Sequence, residues 1–236
     1  MFFHLLLLPF LSMLSTYSSH SNAPEKPILY YVYDPLCGWC YGFSPVMTKV
    51  HHEYQEKISI NVISGGMVRG DRVAPLSTIA PYIQGAYKQV EKLSGVQFGA
   101  PYLSVLFGKG ERIMDSHPPS IAHTYLVEQF PNRATEVAST IQSLIYSDGL
   151  DPNTQEFRSA LGTQFELDVA QFEIDLQDTV YHTKAEDGYR LCQKLGITGY
   201  PAVLLYKNNT WYLVAKGWTD FQSISKTIDS ILQSEE

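Results

Sequence analysis

The stretch "DPLCGWCYGF", residues 34–43, places two of the three cysteines of the chain, Cys37 and Cys40, on either side of a Gly-Trp dipeptide. It follows "KPILYYVYD" (26–34), a run rich in Ile, Tyr and Val that predicts a buried strand ending at an Asp-Pro pair. After Cys37, apolar residues recur at helical spacing and predict a helix that begins at or beside this cysteine. The spacing of the pair alone is compatible with a structural disulfide, half of a metal site or a redox centre.

The junction between a strand and a helix favours chemistry at Cys37 and Cys40. Residues three apart on a helix have Cβ atoms about 5–6 Å apart, and a disulfide needs about 3.8 Å, so a small tilt would close the bond. The first turn of a helix also offers unpaired N–H groups and about half a positive charge. Both stabilise a thiolate. We therefore expect Cys37 to be the nucleophile and Cys40, shielded one turn further on, to resolve the mixed disulfide.

Further strand patterns occur near both ends of the chain. "ISINVISGG" (58–66) alternates as a second strand and ends on two glycines. "PAVLLY" (201–206) and "WYLVAKG" (211–217) flank the turn "KNNT" and predict a β-hairpin. The last segment, 219–236, has the spacing of an amphipathic helix, and Thr219 or Asp220 is expected to cap its start.

The middle of the chain, about 74–195, contains successive helical patterns with no strand pattern between them. These patterns cover 75–93, 118–130, 133–149 and 169–196. Ser116, followed by Pro118 and Pro119, predicts the start of the second helix. Without this block, a βαβ unit followed by ββα remains. The order predicts an α/β fold with one central mixed sheet and a large all-helical insertion. We assign 24–73 and 186–236 to the sheet domain and 74–185 to the insertion.

Composition argues against a nucleic-acid-binding protein and against a disulfide-rich scaffold. The 236 residues carry a formal charge of −7, and no run is rich in Lys or Arg, so we expect no nucleic-acid partner. Three cysteines are too few for a disulfide-rich scaffold.

The N-terminal segment "FFHLLLLPFLSML" (2–14) is apolar and is followed by small and polar residues. It is too short for a stable membrane span but suits a signal-peptide core. The absence of a preceding Lys or Arg and the position of Pro24 count against this interpretation. We predict that 1–23 is a signal peptide and that the protein is periplasmic or secreted, with a cytoplasmic location as the alternative.

"GITGYPAVLL" (196–205) contains a Tyr-Pro bond directly before a strand. By base rates an X-Pro bond is trans, since only about 5–6% are cis. The whole arrangement, however, resembles the thioredoxin superfamily. It combines a strand before "CGWC", the segment "GITGYP" near the end of the chain, and a final hairpin and helix. Within it, "YDPLCGWCYGF" resembles the DsbA-like protein-disulfide oxidoreductase/isomerase family. The resemblance covers about residues 28–232.

This resemblance implies a thioredoxin-like fold and a thiol–disulfide oxidoreductase that exchanges disulfides with protein cysteines through Cys37 and Cys40. It implies a cis peptide before Pro201, facing the cysteine pair, and substrate binding by Tyr200 and Pro201. Trp39 would add a flat surface beside the sulfur. No cofactor or metal is required. The expected partners are proteins with thiols or disulfides, and a redox partner protein or glutathione. The Gly-Trp dipeptide differs from the Pro-His of strongly oxidising members, so the direction of exchange stays open.

Two other functions remain as alternatives. Some relatives with helical insertions use glutathione to isomerise or conjugate small molecules, but they have no use for a resolving thiol such as Cys40. A peptide-binding or holdase module would use the same groove without redox turnover.

Four further residues could take part in the chemistry and are considered in turn: Asp34, Cys192, His51 and His52. Asp34 is expected to form an Asx-type turn into the helix, and its second candidate role is proton handling for the cysteine pair. Cys192 is expected to be a buried inert thiol, with a third redox thiol as the alternative. The adjacent His51 and His52 point about 100° apart on a helix and do not fit a zinc site with the cysteines, so we predict no metal.

Overall fold

The strands of the main sheet come from two parts of the chain, 28–64 and 202–216, and the part between them is mostly helical. The computed structural model describes residues 26–108 and 111–234. Within these ranges the strands are β1 (Ile28–Tyr33), β2 (Ser59–Ser64), β3 (Ala74–Pro75), β4 (Ile113–Met114), β5 (Ala202–Lys207) and β6 (Thr210–Lys216). The helices are α1 (Gly38–Tyr54), α2 (Ala80–Ser94), α3 (Ala100–Phe107), α4 (His117–Gln129), α5 (Ala134–Tyr146), α6 (Gln155–Gln164), α7 (Val169–Asp175), α8 (Thr179–Lys194) and α9 (Phe221–Gln233).

A mixed sheet in the order β2-β1-β5-β6 forms the centre of the protein. β1 runs parallel to β2 and antiparallel to β5, and β5 and β6 form the predicted hairpin. Asn208 and Asn209, in its turn, have φ values of 50° and 60°, as a tight hairpin turn requires. Because β1 has a strand on either side, its carboxyl end and the loop to α1 lie at the middle of the sheet edge.

Two large apolar clusters hold the structure together. The first joins the sheet to α1 and α9, with Phe43 and Ile228 both fully buried in it. The second lies among the helices of the insertion. Trp39, Met67 and Val127 pack against both clusters. The insertion therefore shares a continuous apolar contact with the sheet.

The predicted thioredoxin-like sheet with a helical insertion is confirmed, with one difference in detail. β3 and β4 form a two-residue antiparallel ladder inside the insertion, where Ala74 pairs with Met114. The N–H of Leu76 donates to the carbonyl of Arg112 at 2.7 Å and extends this contact. A ladder of two residues is too short to produce an alternating pattern in the sequence.

None of the described helices has the length and apolar character needed to cross a membrane. The predicted signal peptide, 1–23, lies outside the described residues. The division into 24–73, 74–185 and 186–236 stays a prediction.

Candidate active site

Cys37 occupies the N-cap position of α1. Its backbone is extended, with φ −97° and ψ 106°, and its Sγ accepts the backbone N–H of Cys40 at 3.2 Å. Its carbonyl accepts the N–H groups of Cys40 at 3.0 Å and Tyr41 at 3.1 Å. An amide that donates to sulfur at a helix N-terminus stabilises the thiolate over the thiol. The first turn of α1 therefore directs the Cys40 amide at the Cys37 sulfur.

Cys40 is different, because it is fully buried. Burial raises its pKa well above the usual thiol value, and the neighbouring Cys37 raises it further. Both cysteines are free thiols in this structure. Burial therefore keeps the proton on Cys40. A protonated, shielded thiol is what a resolving cysteine requires.

The loop before β5 brings Tyr200 and Pro201 to the cysteine pair. The peptide bond between them is cis, as the resemblance implied. The thiol of Cys37 donates to the carbonyl of Tyr200 at a sulfur–oxygen distance of 3.7 Å. Cys37 is 5% exposed, so its contact with solvent is narrow. An approaching sulfur would therefore reach Cys37 directly beside the backbone of this loop.

Tyr200 also spans to the loop after β2, where its hydroxyl donates to the carbonyl of Gly65 at 2.8 Å. A Cβ atom at Gly65 would lie 2.0 Å from the Tyr200 ring, far inside van der Waals contact. Glycine at this position therefore permits the close approach of the aromatic ring, and the ring in turn fixes the loop before β5.

Asp34 lies at the end of β1 and is fully buried. Its carboxylate accepts the N–H of Leu36 at 2.9 Å, the hydroxyl of Ser116 at 2.8 Å and the N–H of Met67 at 2.6 Å. Burial raises its pKa from 3.8 to about 6, and these three donors limit the rise. The carboxylate thus joins the loop before α1, the loop after β2 and the start of α4.

Tyr31 and Tyr33 lie in the same buried cluster as the two cysteines, and the ring of His123 packs against Tyr33. Burial raises the pKa values of Tyr31 and Tyr33 well above 10, and it lowers the pKa of His123 to about 3. All three side chains are therefore uncharged near neutral pH. Burial and the neighbouring Cys37 dominate the raised pKa of Cys40, and the negative charge of the Asp34 carboxylate adds a smaller increase.

Trp39 is partly buried and packs against both apolar clusters. Next to it, the position of a Cβ on Gly38 lies 3.5 Å from the ring of Phe98, in the insertion. The dipeptide between the cysteines is thus in contact with the insertion as well as with the sheet. Trp39 has a packing role, and its role in substrate binding stays a proposal.

The sequence did not identify two buried side chains of the site, Gln142 and Ser116. Gln142, on α5, donates to the carbonyls of Asp34 at 3.2 Å and Cys37 at 3.3 Å. Ser116 precedes α4, and its hydroxyl donates to the Asp34 carboxylate and accepts the N–H of Val68 at 3.0 Å. The only signal in the sequence was that Ser116 precedes a helix, which predicts an N-cap hydrogen bond that its side chain does not make.

Cys192 is buried on α8, beside Val32 and Ala202. Burial raises its pKa to about 12, which fits the expected inert thiol. His51 and His52 lie in the last turn of α1. Among the described residues, no group of three or more His, Cys, Asp or Glu side chains is arranged to hold a metal ion.

Comparison with known proteins connects this geometry to a family. A family model described as thioredoxin matches residues 30–216. The chain belongs to the thioredoxin family. A search of curated protein sequences found no match.

Solved structures place this thioredoxin-family chain among DsbA-like folds. A protein of Nitrosomonas europaea, provisionally described as a protein disulfide isomerase, superposes with a TM-score of 0.77 at 22% identity, covering 89% of this chain and 98% of the other. The cytosolic disulfide reductase DsbM of Pseudomonas aeruginosa superposes with a TM-score of 0.71 at 24% identity, covering 87% and 98%. A 2-hydroxychromene-2-carboxylate isomerase superposes with a TM-score of 0.60 at 13% identity, covering 87% and 94%. At these identities the likeness establishes the fold.

Proposed function

We propose that this thioredoxin-family protein is a thiol–disulfide oxidoreductase that exchanges disulfides with protein cysteines through Cys37 and Cys40. The observation that carries the proposal is the position of the Cys37 sulfur. It accepts a helix N-terminal amide from Cys40 at 3.2 Å and lies 3.7 Å from the carbonyl of Tyr200. A nucleophile is thereby placed beside a backbone edge that an extended polypeptide can pair with whatever its sequence.

In the oxidising direction, a substrate thiolate attacks the Cys37 sulfur of the Cys37–Cys40 disulfide. A substrate–Cys37 bond forms, the bond between the two cysteines breaks, and the Cys40 sulfur leaves and takes up a proton. A second substrate thiolate then attacks the substrate sulfur of the mixed disulfide and releases the Cys37 thiolate. The substrate loses two electrons, and the pair gains them. The reducing direction reverses each step.

The residues around the pair divide this work. Tyr200 and Pro201 present the backbone edge, and Trp39 supplies an apolar surface next to Cys40. Burial raises the pKa of Cys40, so that this sulfur takes up a proton when it leaves. Asp34 assists this step: at pH 7 its carboxyl group, with a pKa of about 6, is ionised, and its charge opposes a negative charge on Cys40.

The expected partners are proteins with thiols or disulfides and, for regeneration, glutathione or a redox partner protein. Glutathione as a partner is supported by the structure of DsbM with GSH, which superposes with a TM-score of 0.69. The compartment would set the direction. Export, which the apolar segment 2–14 supports, favours oxidation or isomerisation, whereas a cytoplasmic location favours reduction.

The equilibrium of the pair with glutathione tests this function and its direction. A potential of about −120 mV, as for DsbA, would indicate an oxidant, and about −270 mV, as for thioredoxin, a reductant. Insulin reduction measures turnover on a protein disulfide. We expect Cys37→Ser to abolish both the exchange with glutathione and the reduction of insulin. Cys40→Ser should accumulate a mixed disulfide at Cys37, because the resolving thiol is missing.

Cys192→Ser is the matched control, because it removes the other described thiol without touching the pair. It should leave both activities unchanged. A wild-type pair that does not equilibrate with glutathione would contradict the proposal. Turnover of a small-molecule substrate that survives Cys40→Ser would favour the glutathione-dependent transferase, and client binding that needs neither cysteine would favour a holdase.

A further inference from the structure

Gln142 belongs to the insertion, yet its side-chain amide contacts the loop that carries the nucleophile. The residue lies on α5 and is fully buried. Its Nε2 donates to the carbonyl of Asp34 at 3.2 Å and to the carbonyl of Cys37 at 3.3 Å. These carbonyls are the two ends of one turn, because the N–H of Cys37 donates to the carbonyl of Asp34 at 3.1 Å.

The two carbonyls also fix the orientation of the Gln142 amide. A flipped amide would place Oε1 against two carbonyl oxygens, so Nε2 must face the turn. In this orientation Oε1 is buried, and no described group donates to it. An unpaired buried acceptor is unfavourable, and an apolar side chain of the same length would avoid it. Fold stability alone therefore does not explain a glutamine here.

We infer that Gln142 is a positioning residue that holds Cys37 at the N-cap and increases the thiolate character of its sulfur. The inference rests on the proposed function. The Cys37 carbonyl accepts the N–H of Cys40 at 3.0 Å and the N–H of Tyr41 at 3.1 Å. Gln142 adds a side-chain donor to the same oxygen. The carbonyl is thereby held in place, and the Cys40 amide stays directed at the Cys37 sulfur.

The positive end of the Gln142 amide dipole also faces the segment that carries the sulfur. Partial positive charge near a thiolate stabilises it in a water-poor environment. When the disulfide is reduced by two molecules of glutathione, the products are glutathione disulfide and the Cys37–Cys40 dithiol. Because the thiolate exists only on the reduced side, Gln142 shifts this equilibrium towards the dithiol.

Gln142→Met removes the donors and keeps the length of the side chain. We expect its equilibrium constant for reduction by glutathione to fall about tenfold, which corresponds to a potential about 30 mV more negative. Alkylation of Cys37 by iodoacetamide at pH 7 should slow by a similar factor. Gln84→Met is the matched control, since Gln84 donates to the carbonyl of Leu106 at 2.9 Å within the insertion. It should change neither value.

Gln142→Glu keeps the shape of the side chain and provides a second test if the Met variant does not fold. A protonated carboxyl can donate to one carbonyl, whereas an ionised carboxylate repels both. We expect alkylation of this variant near the wild-type rate at low pH. The ratio of the variant rate to the wild-type rate should drop as the introduced carboxyl group ionises. Asp34 titrates in both proteins, so this ratio isolates the introduced group.

Unchanged potentials and alkylation rates in both Gln142 variants, with an active wild-type pair, would overturn this inference and leave the proposed function standing. A purely structural role would lower the stability of the variants without moving either value. A wild-type protein that exchanges no disulfide would remove the proposed function and this inference together.

Discussion

Asp34 is a buried carboxyl group whose ionisation connects the stability of the fold to pH. Its folded-state pKa of about 6 lies above the ordinary value of 3.8. Between these values the folded state binds more protons than the unfolded state. The contribution of this group to the free energy of unfolding is therefore largest at low pH and declines as the pH rises through about 6.

Asp34→Asn should remove this pH dependence. One pKa unit corresponds to 1.36 kcal/mol, so the shift from 3.8 to about 6 is worth about 2–3 kcal/mol. We expect the free energy of unfolding of the variant, relative to wild type, to increase by about 2–3 kcal/mol between about pH 3.5 and 7. Urea titrations at a series of pH values measure this difference. A difference that is constant with pH would contradict the raised pKa.

At the same scale, the parts of the site differ in how far the sequence predicts them. Cys37 and Cys40 are found from a local motif and from the strand before it. Gln142 lies 108 positions from its partner Asp34, and nothing local in α5 distinguishes it from a surface glutamine. The contact of Gly65 with Tyr200 likewise exists only when two distant loops meet. Such contacts arise from tertiary structure, which a single sequence does not display.

At the scale of elements, α4 begins in an unusual way. The helix starts after Ser116, as a Ser followed by two prolines predicts, but the hydroxyl of Ser116 does not cap it. The hydroxyl instead connects the Asp34 carboxylate to the N–H of Val68. By contrast, Asp220 caps α9 by accepting the N–H of Ser223 at 2.9 Å. Of two residues predicted to cap helices, Asp220 therefore caps its helix, and Ser116 connects two loops of the candidate site instead.

Ser116→Ala and Asp220→Ala should differ in how they change the free energy of unfolding and its pH dependence. Loss of the ordinary cap at Asp220 should cost less than loss of Ser116, because the Asp220 cap is exposed to water and its freed N–H can be solvated. Ser116→Ala should cost about 2 kcal/mol, because it leaves a buried N–H and a buried carboxylate each short of a partner. Ser116 lowers the pKa of Asp34, so its loss should also move the decline of stability to higher pH. Urea titrations across pH measure both effects, and equal costs with the same pH dependence would contradict this assignment.

The elements that the sequence predicted best have strong local signals. β1, β5 and β6 are bounded by turn residues, and the paired asparagines fix the hairpin. α3 was not predicted, because "APYLSVLF" (100–107) is nearly all apolar and shows no polar face. α6 was missed because "QEFRSALGTQ" (155–164) is short and contains a glycine. Packing against neighbouring helices stabilises both of them.

At the scale of the whole molecule, the sheet and the insertion are joined by more than the two chain connections. Trp39, Met67 and Val127 pack against both apolar clusters. Asp34 accepts from Ser116, at the start of α4, and Gln142 donates back to the turn before α1. The active-site loop is therefore built from both parts. Unfolding of the insertion alone would expose apolar surface on the sheet and remove the Ser116 hydroxyl, one of the three donors to the buried Asp34 carboxylate.

We therefore expect the protein to unfold in one cooperative step. The three tryptophans, Trp39, Trp211 and Trp218, all lie outside the predicted insertion, 74–185. Trp39 also packs against the insertion, so fluorescence is measured on Trp39→Phe, where Trp211 and Trp218 report on the sheet side. Far-UV circular dichroism is dominated by helices, most of which belong to the insertion. Urea transitions followed by the two signals should have the same midpoint. A dichroism transition at lower urea than the fluorescence transition would show that the insertion unfolds first, and the active-site loop would then depend on a separable unit.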